Sequence, residues 1–83
     1  MKVAVRYFAG VREALGAGEE VELGADASIA SLRDALVARG GRHAEALGRA
    51  RALRSARNRT LCAEETPLAD GDEVGFFPPL TGG

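Results

Sequence analysis

The chain has 83 residues, of which 46% are hydrophobic and 28% charged, and its formal net charge is −1. This length suits one small domain, and no apolar run approaches the roughly 20 residues that a membrane-spanning helix needs. With one cysteine and one histidine, an internal disulfide and a metal site built from several Cys and His ligands are both excluded. The start of the chain lacks the apolar segment of a secretory signal, so we expect a cytoplasmic protein with no membrane partner.

Two strands are predicted in the first third of the chain. Over residues 2–8, two valines and a tyrosine alternate onto one face, and Phe8 falls on the other. Residues 19–23 alternate in the same way and are expected to form a hairpin with the first strand. The acids of this second strand, Glu19, Glu20 and Glu22, are interpreted as ordinary exposed residues of a strand edge. Residues 9–18 predict a short helical or irregular segment followed by a turn.

The clearest helical pattern follows Ser28, whose hydroxyl can accept a hydrogen bond from the first turn. Apolar residues recur at helical spacing over residues 29–36, and the glycine pair at 40–41 is expected to end the helix. The same spacing places Arg33 on the solvent side. A second, shorter helix is predicted over residues 42–50.

Three further strands are predicted over residues 53–57, over residues 60–63 and from Glu73 onward. Asn58 and Arg59 would form the tight turn between the first two, because Asn tolerates a positive φ. The first and last strands of the chain are the most hydrophobic, so we place them side by side in the centre of a mixed sheet. One main helix packed on one face of this sheet gives an α+β fold.

The last eleven residues, EVGFFPPLTGG, join a strand pattern to an end that cannot be a strand. After the strand come Pro78, Pro79, Leu80, Thr81, Gly82 and Gly83. The two prolines remove backbone donors, so sheet pairing stops there. Because only glycine lets a backbone thread a narrow channel, the final Gly-Gly would present its carboxylate unhindered. We expect a folded domain over residues 1–78 and a flexible reactive tail over residues 79–83, with Gly83 as the reacting residue.

A carboxylate is a poor electrophile, so Gly83 would first be converted to an acyl-adenylate by a partner that uses ATP. The activated carbonyl could then accept sulfur, giving a thiocarboxylate, or an amine, giving an amide. The sequence offers no nucleophile–base pair, metal-ligand cluster or phosphate-binding glycine motif. Cys62 is expected to be a small buried residue and His43 a surface residue, so the chain is not expected to be an enzyme by itself.

Two aromatic residues, Phe8 and Phe77, fall outside the core register of the two strands placed side by side. Their rings should therefore lie together on the face of the sheet that the helix leaves open, and Leu61 is a further candidate for the same place. An exposed apolar patch of this kind is typical of a protein interface.

The charged residues are unevenly distributed, since residues 39–59 contain seven arginines and only one acid, Glu45. One interpretation is a solvated basic edge, and the other is a docking surface for an acidic partner. A nucleic-acid partner is not expected, because no aromatic residues alternate with these arginines.

Taken together, these residues resemble the small subunit of molybdopterin synthase, the MoaD-type sulfur carriers of the ubiquitin-like β-grasp superfamily. The resemblance covers essentially the whole length. It rests on RYFAGVRE at residues 6–13, SIASLRDAL at 28–36, the turn at Asn58, and above all PLADGDEVGFFPPLTGG at 67–83. The sequence departs from the family in its basic 39–59 stretch and in Cys62, where the family usually has an aliphatic residue.

The resemblance implies that Gly83 is adenylated by a ubiquitin-activating-like adenylyltransferase and receives sulfur from a donor such as a cysteine desulfurase or rhodanese. The tail would then enter the active site of a large subunit, in an assembly of two large and two small subunits. There the thiocarboxylate would donate its sulfur to cyclic pyranopterin monophosphate during molybdenum cofactor synthesis. The implied partner-binding residues are Phe8, Leu61, Phe77, Pro78, Pro79, Leu80, Thr81 and Gly82. ATP would belong to the activating partner, and this chain would bind no metal or cofactor.

Three alternatives remain open at the level of sequence. The chain could carry sulfur for thiamine or tRNA thiolation, although carriers of that kind tend to be shorter and lack the FFPP exit. It could be a ubiquitin-like modifier, but Lys2 is the only lysine through which chains could be built. It could also be an interaction module with an inert tail, in which case deleting Gly83 would leave its function unchanged.

Overall fold

Eight helices and strands follow one another in the computed structural model, which describes residues 1–79. In chain order they are β1 (Lys2–Tyr7), α1 (Ala9–Leu15), β2 (Gly18–Glu22), α2 (Ile29–Val37), α3 (Gly41–Leu47), β3 (Arg54–Arg57), β4 (Thr60–Cys62) and β5 (Glu73–Phe77). Apart from Pro79, the predicted flexible tail lies outside the described residues, and the domain boundary at residue 78 stays a prediction.

The five strands form one mixed sheet in the order β2-β1-β5-β3-β4. β1 and β5 run parallel, with Val5 opposite Val74 and Tyr7 opposite Phe76, and the other neighbouring strands are antiparallel. The prediction that the first and last strands lie side by side in the centre is confirmed. Because parallel strands end at the same edge of a sheet, the residues that follow β1 and β5 meet there.

One hydrophobic core lies between the sheet and the three helices. The alternation of β1 and β5 turns their apolar side chains towards the helices, which contribute apolar residues at helical spacing. The side chains of this core that are most deeply buried are Val3, Val5, Tyr7, Ile29, Leu32, Leu36, Leu47, Val74 and Phe76. Burying an aliphatic or aromatic side chain of this size contributes about 1.5–3 kcal/mol, so this layer accounts for the attachment of the helices to one face of the sheet.

The longest helix, α2, begins as the sequence predicts. The Ser28 hydroxyl accepts a hydrogen bond from the Ser31 amide at 3.2 Å, and the Ser31 hydroxyl accepts one from the Ser28 amide at 2.7 Å. These reciprocal bonds satisfy two amides that the helix itself cannot pair. Beyond its end, Gly40 and Gly41 have φ angles of 75° and 54°, which side chains disfavour and glycine permits.

Arg33 was expected on the solvent side of α2, and that prediction is wrong. The residue is 3% exposed, and its guanidinium donates to the carbonyl oxygens of Leu47 at 2.6 Å, Gly48 at 2.8 Å and Arg51 at 3.0 Å. It also donates to the Glu64 carboxylate at 2.6 Å. The end of α3 leaves carbonyl groups that the helix cannot pair, and a guanidinium has enough donors to satisfy several of them.

Candidate functional site

The face of the sheet opposite the helices, the outer face, carries the aromatic residues singled out in the sequence. Cross-strand pairing sets this face, because Ala56 lies opposite both Leu61 of β4 and Gly75 of β5. Residues opposite each other in a ladder share one face of the sheet. In the described part of the chain, this face includes Arg6, Phe8, Arg54, Ala56, Leu61, Gly75 and Phe77.

Phe8 follows β1 in an extended conformation and continues its hydrogen bonding, since its amide donates to the Phe76 carbonyl at 3.2 Å. Its ring lies edge-on to that of Phe77, with the ring centroids 6.3 Å apart and the planes at 84°. Gly75 makes room for the ring, because a Cβ built on Gly75 would lie 3.1 Å from Phe8 Cε2. The aromatic pair thus stands on the outer face without support from a helix.

Leu61 extends the same apolar surface across β3 to β4. Leu61 is 57% exposed and Phe8 is 43% exposed. Among residues 1–79 they are the two most exposed large hydrophobic residues. We call Phe8, Ala56, Leu61, Gly75 and Phe77 the outer-face patch; together with neighbouring charged residues they line a shallow cavity of about 340 Å³. A concave, apolar surface exposed on a small domain is suited to receive side chains of another protein.

Charged side chains border the outer-face patch. Arg6 Nη1 donates to the Glu73 carboxylate at 3.3 Å, and Arg59 Nε lies 3.7 Å from the other oxygen of the same carboxylate. Arg54 lies opposite Phe77 in the β3–β5 ladder and is exposed, with no ion pair to any residue from 1 to 79. The border is therefore more basic than acidic.

The proposed exit of the tail lies at one end of the outer-face patch. Pro78 and Pro79 come directly after β5, both half-buried, and Pro78 also lines a cavity of about 370 Å³ between α1 and α3. The structure thus brings Phe8, Leu61 and Phe77 together, and the two prolines follow Phe77 directly in the chain. The remaining predicted site residues, Leu80, Thr81, Gly82 and Gly83, lie outside the described residues.

A second cluster, centred on Glu19, was missed in the sequence. Its carboxylate accepts hydrogen bonds from the Tyr7 hydroxyl at 2.7 Å and Arg39 Nη1 at 2.5 Å, and lies 2.9 Å from His43 Nε2. Glu19 is two residues from the buried Val21, so strand alternation alone could have placed it on the helix side. His43 is therefore engaged in binding a structural carboxylate instead of standing free on the surface.

The pKa values in this cluster follow from its contacts. Partial burial acts to raise the pKa of Glu19, but the hydrogen bonds from His43, Arg39 and Tyr7 outweigh it and lower the pKa to about 2. Burial and the neighbouring Glu19 carboxylate raise the pKa of the Tyr7 hydroxyl. Glu19 is thus held as an anion and Tyr7 as a neutral donor, which suits a fixed link between the sheet and the helices.

The remaining candidate groups are structural where the chain is described. Cys62 is partly buried and packs against the core, as expected for a small apolar residue. Within residues 1–79, the acidic, histidine and cysteine side chains form no group of three that could hold a metal ion. In that same part of the chain, the helices are all too short or too polar to cross a membrane.

Comparison with known proteins now adds to this geometry. The sequence matches the ThiS family over residues 5–83. The chain belongs to the ThiS family. It is 44% identical to the molybdopterin synthase sulfur carrier subunit of Escherichia coli over 82 residues, which span 98% of this chain and 99% of that one.

Solved structures agree with this assignment of the ThiS-family chain. It resembles a chain in a complex of subunits 1 and 2 of the molybdopterin-converting factor from Helicobacter pylori, with 31% identity, full coverage of both chains and a TM-score of 0.70. It also resembles small archaeal modifier protein 1 from Haloferax volcanii, with 27% identity over 95% of this chain and 98% of that one and a TM-score of 0.77. The predicted ubiquitin-like β-grasp fold is confirmed.

Proposed function

We propose that this chain is the sulfur-carrier subunit of a molybdopterin synthase and carries sulfur as a thiocarboxylate on Gly83. The sulfur goes to cyclic pyranopterin monophosphate during synthesis of the molybdenum cofactor. The strongest support is full-length similarity to proteins of that name, in a chain whose FFPP exit follows an exposed aromatic patch. We assign partner docking to the outer-face patch and the reaction to Gly83.

The chemistry begins with attack of the Gly83 carboxylate on the α-phosphorus of ATP, which releases pyrophosphate and leaves an acyl-adenylate. A persulfide on the sulfur donor then displaces AMP, giving an acyl disulfide. A second thiol attacks the donor's sulfur in that disulfide, forms a new disulfide with the donor and frees the thiocarboxylate. The thiocarboxylate sulfur then bonds to a precursor carbon, which loses its oxygen substituent. Water cleaves the remaining acyl–sulfur bond and regenerates the carboxylate. The activating enzyme holds the ATP, and this chain binds no cofactor.

Two partner proteins use the chain in this proposal. The activating partner is a ubiquitin-activating-like adenylyltransferase, and the sulfur comes from a cysteine desulfurase or rhodanese. The acceptor partner is the synthase large subunit. The assembly of two large and two small subunits forms in the cytoplasm. A complex of two subunits in a related structure supports a large-subunit partner.

Burial of the outer-face patch would supply the free energy needed to order the tail. Ordering four tail residues in a partner's active site costs on the order of 1–2 kcal/mol per residue. Burying Phe8, Leu61 and Phe77 contributes up to about 1.5–3 kcal/mol for each side chain, which is of the same order. Docking through the patch therefore offsets the cost of holding the tail in an extended conformation.

A reconstituted transfer reaction tests the proposal. The chain, thiocarboxylated in vitro, is mixed with the large subunit from the same organism and cyclic pyranopterin monophosphate, and molybdopterin is measured. We expect product in proportion to the thiocarboxylate supplied, and none from a variant lacking Gly83. The proposal is contradicted if the thiocarboxylated chain yields no product while a known pair of sulfur carrier and large subunit is active in parallel.

A protein modifier is the second candidate, favoured by the similarity to the archaeal modifier protein. In that case activated Gly83 forms an amide with a lysine of another protein instead of a thiocarboxylate. The two functions are separated by mass spectrometry of trypsin-digested cellular proteins. A modifier predicts lysines that carry residues 60–83 of this chain, the remnant that cleavage after Arg59 leaves. A carrier for thiamine or tRNA thiolation would give thiocarboxylate without molybdopterin.

A further inference from the structure

The structure divides the seven arginines of residues 39–59 into two groups. One group donates hydrogen bonds within the domain, and its members are Arg39, Arg49, Arg51 and Arg57. Among the others, Arg54 and Arg59 border the outer-face patch. The basic stretch is therefore not a uniform solvated edge, because part of it stabilises the fold and part of it borders the outer-face patch.

Around the outer-face patch, positive charge exceeds negative charge. Arg6, Arg54 and Arg59 lie near two acids, Glu73 and the exposed Glu20 of β2, which lies beside Arg6. The local charge is therefore +1 (three minus two) on a chain with net charge −1. The sheet order places the exposed acids of β2 three strand spacings from β3. That separation is about 14 Å, beyond the Debye length of about 8 Å in physiological salt, so those acids hardly neutralise Arg54 and Arg59. Arg6, on β1, lies next to β2 and is partly neutralised by Glu20.

The backbone at Arg59 adds an independent observation. Asn58 and Arg59 have φ angles of 49° and 71°, the two-residue turn in which the second position favours glycine. A long side chain there costs backbone energy that glycine would avoid. The Arg59 side chain is 87% exposed, and its 3.7 Å approach to Glu73 is too long for a hydrogen bond, so the fold gains little from it. Arg59 thus costs backbone energy and contributes little to the stability of the fold, which points to a function outside the domain.

We propose that Arg6, Arg54 and Arg59 form a cationic rim that selects a partner with carboxylates around its own apolar docking surface. This inference rests on the proposed function, since the partner is the synthase large subunit. Charges at the border of an interface act mainly on the rate of encounter and on the choice of partner, whereas the apolar centre holds the complex together. Guanidinium groups suit this role because they bind carboxylates through two parallel hydrogen bonds.

The test measures the rate of association with the large subunit from the same organism at low and at physiological salt. The variant Arg54→Glu/Arg59→Glu is compared with wild type and with a double variant, Arg42→Glu/Arg12→Glu. Arg42 and Arg12 are exposed on α3 and α1, away from the outer face, and their reversal changes the net charge equally. We expect the rim variant to associate about tenfold more slowly at low salt and the control to stay within about threefold of wild type.

A second variant separates recognition from folding. Arg59→Gly removes the cation and suits the positive φ, so we expect an unchanged or higher melting temperature together with slower association. The rim proposal is wrong if the rim variant, Arg59→Gly and the control associate at equal rates with equal salt dependence. That result leaves the proposed function standing. Failure of the wild-type chain to bind the large subunit overturns both.

Discussion

The Phe8 ring meets the Phe77 ring edge-on at 6.3 Å, although 68 residues separate them in the chain. The contact exists because β1 and β5 are parallel neighbours and both end at the same edge of the sheet. Neither ring is covered by a helix, and the two prolines follow Phe77 immediately. The two rings, which we propose as the anchor for a partner, thus lie just before the prolines in the chain.

Substituting an aromatic residue of this anchor should weaken binding of the large subunit. Phe77→Asp or Phe8→Asp places a charge in an interface that excludes water, and we expect affinity to fall more than tenfold, about 1.4 kcal/mol or more. Titration calorimetry with the large subunit measures the change. Ala25→Asp, at an exposed loop position, is the matched control. Wild-type affinity in both aromatic variants would show that the partner docks elsewhere.

The glycine at the start of β2 should be required for pairing with β1. A Cβ on Gly18 would lie 2.2 Å from the Val5 carbonyl oxygen, whereas a Cβ on Gly10 would meet no atom within 4 Å. We expect Gly18→Ala to reduce the free energy of unfolding by at least about 1–3 kcal/mol, as for other substitutions that overfill a packed site. Gly10→Ala, inside α1, should increase it by about 0.5–1 kcal/mol. Urea denaturation measures both free energies of unfolding, and equal stability of the two variants would contradict this interpretation.

Removing the buried guanidinium should destabilise the domain strongly. Arg33→Met retains an apolar chain of similar length but leaves carbonyl groups of residues 47, 48 and 51 without their donor. We expect a loss of about 3 kcal/mol of stability. Glu64 keeps its second partner, Arg49, which limits the loss. The exposed Arg42→Met is the control in the same denaturation experiment, and a similar small loss in both would show that Arg33 is dispensable.

The Glu19 cluster should make stability depend on acidic pH. The pKa of the Glu19 carboxyl is about 2 in the folded chain and 4.5 when the residue is free of these contacts, as in the unfolded chain. As pH falls, the unfolded chain therefore takes up this proton first. The stabilisation is therefore complete above about pH 5 and is lost as pH falls towards 2.

Thermal unfolding of wild type and Glu19→Gln over this pH range tests the claim. The difference between their melting temperatures should be largest near neutral pH and should shrink as pH falls towards 2. Glu20→Gln, at an exposed position on the same strand, controls for the change in net charge. A difference that stays constant with pH would show that Glu19 acts through its shape and not its charge.

The sheet and its central pair of strands could be predicted because strand alternation depends on nearest neighbours in sequence. Val5 and Val74 sit in patterns of period two, and Ser28 stands before a helical pattern, so each signal is local. The pairing of Phe8 with Phe77 also followed, once the two strands were placed side by side. Their role in binding a partner stays a prediction.

Two features escaped prediction because they depend on what packs against a residue. Arg33 sits at a position that helical spacing assigns to solvent, yet the end of α3 lies against it and offers carbonyl groups. Glu19 lies in an acidic strand, but Tyr7, Arg39 and His43 from three other segments converge on it. Sequence patterns indicate which face a residue occupies and not which polar partners a distant segment brings there.

The most direct measurement is fragment-ion mass spectrometry of the C-terminal peptide of the protein, purified from its own cells and treated with a thiol-alkylating reagent. Fragment ions tell a label on Gly83 from one on Cys62, which lies in the same tryptic peptide. Alkylation is needed because replacing oxygen by sulfur at Gly83 adds nearly the same mass as oxidising Met1 or Cys62. A sulfur carrier predicts an alkylated sulfur on Gly83 in a fraction of molecules. A plain carboxylate that persists after incubation with ATP, a sulfur donor and the cognate activating enzyme would contradict it.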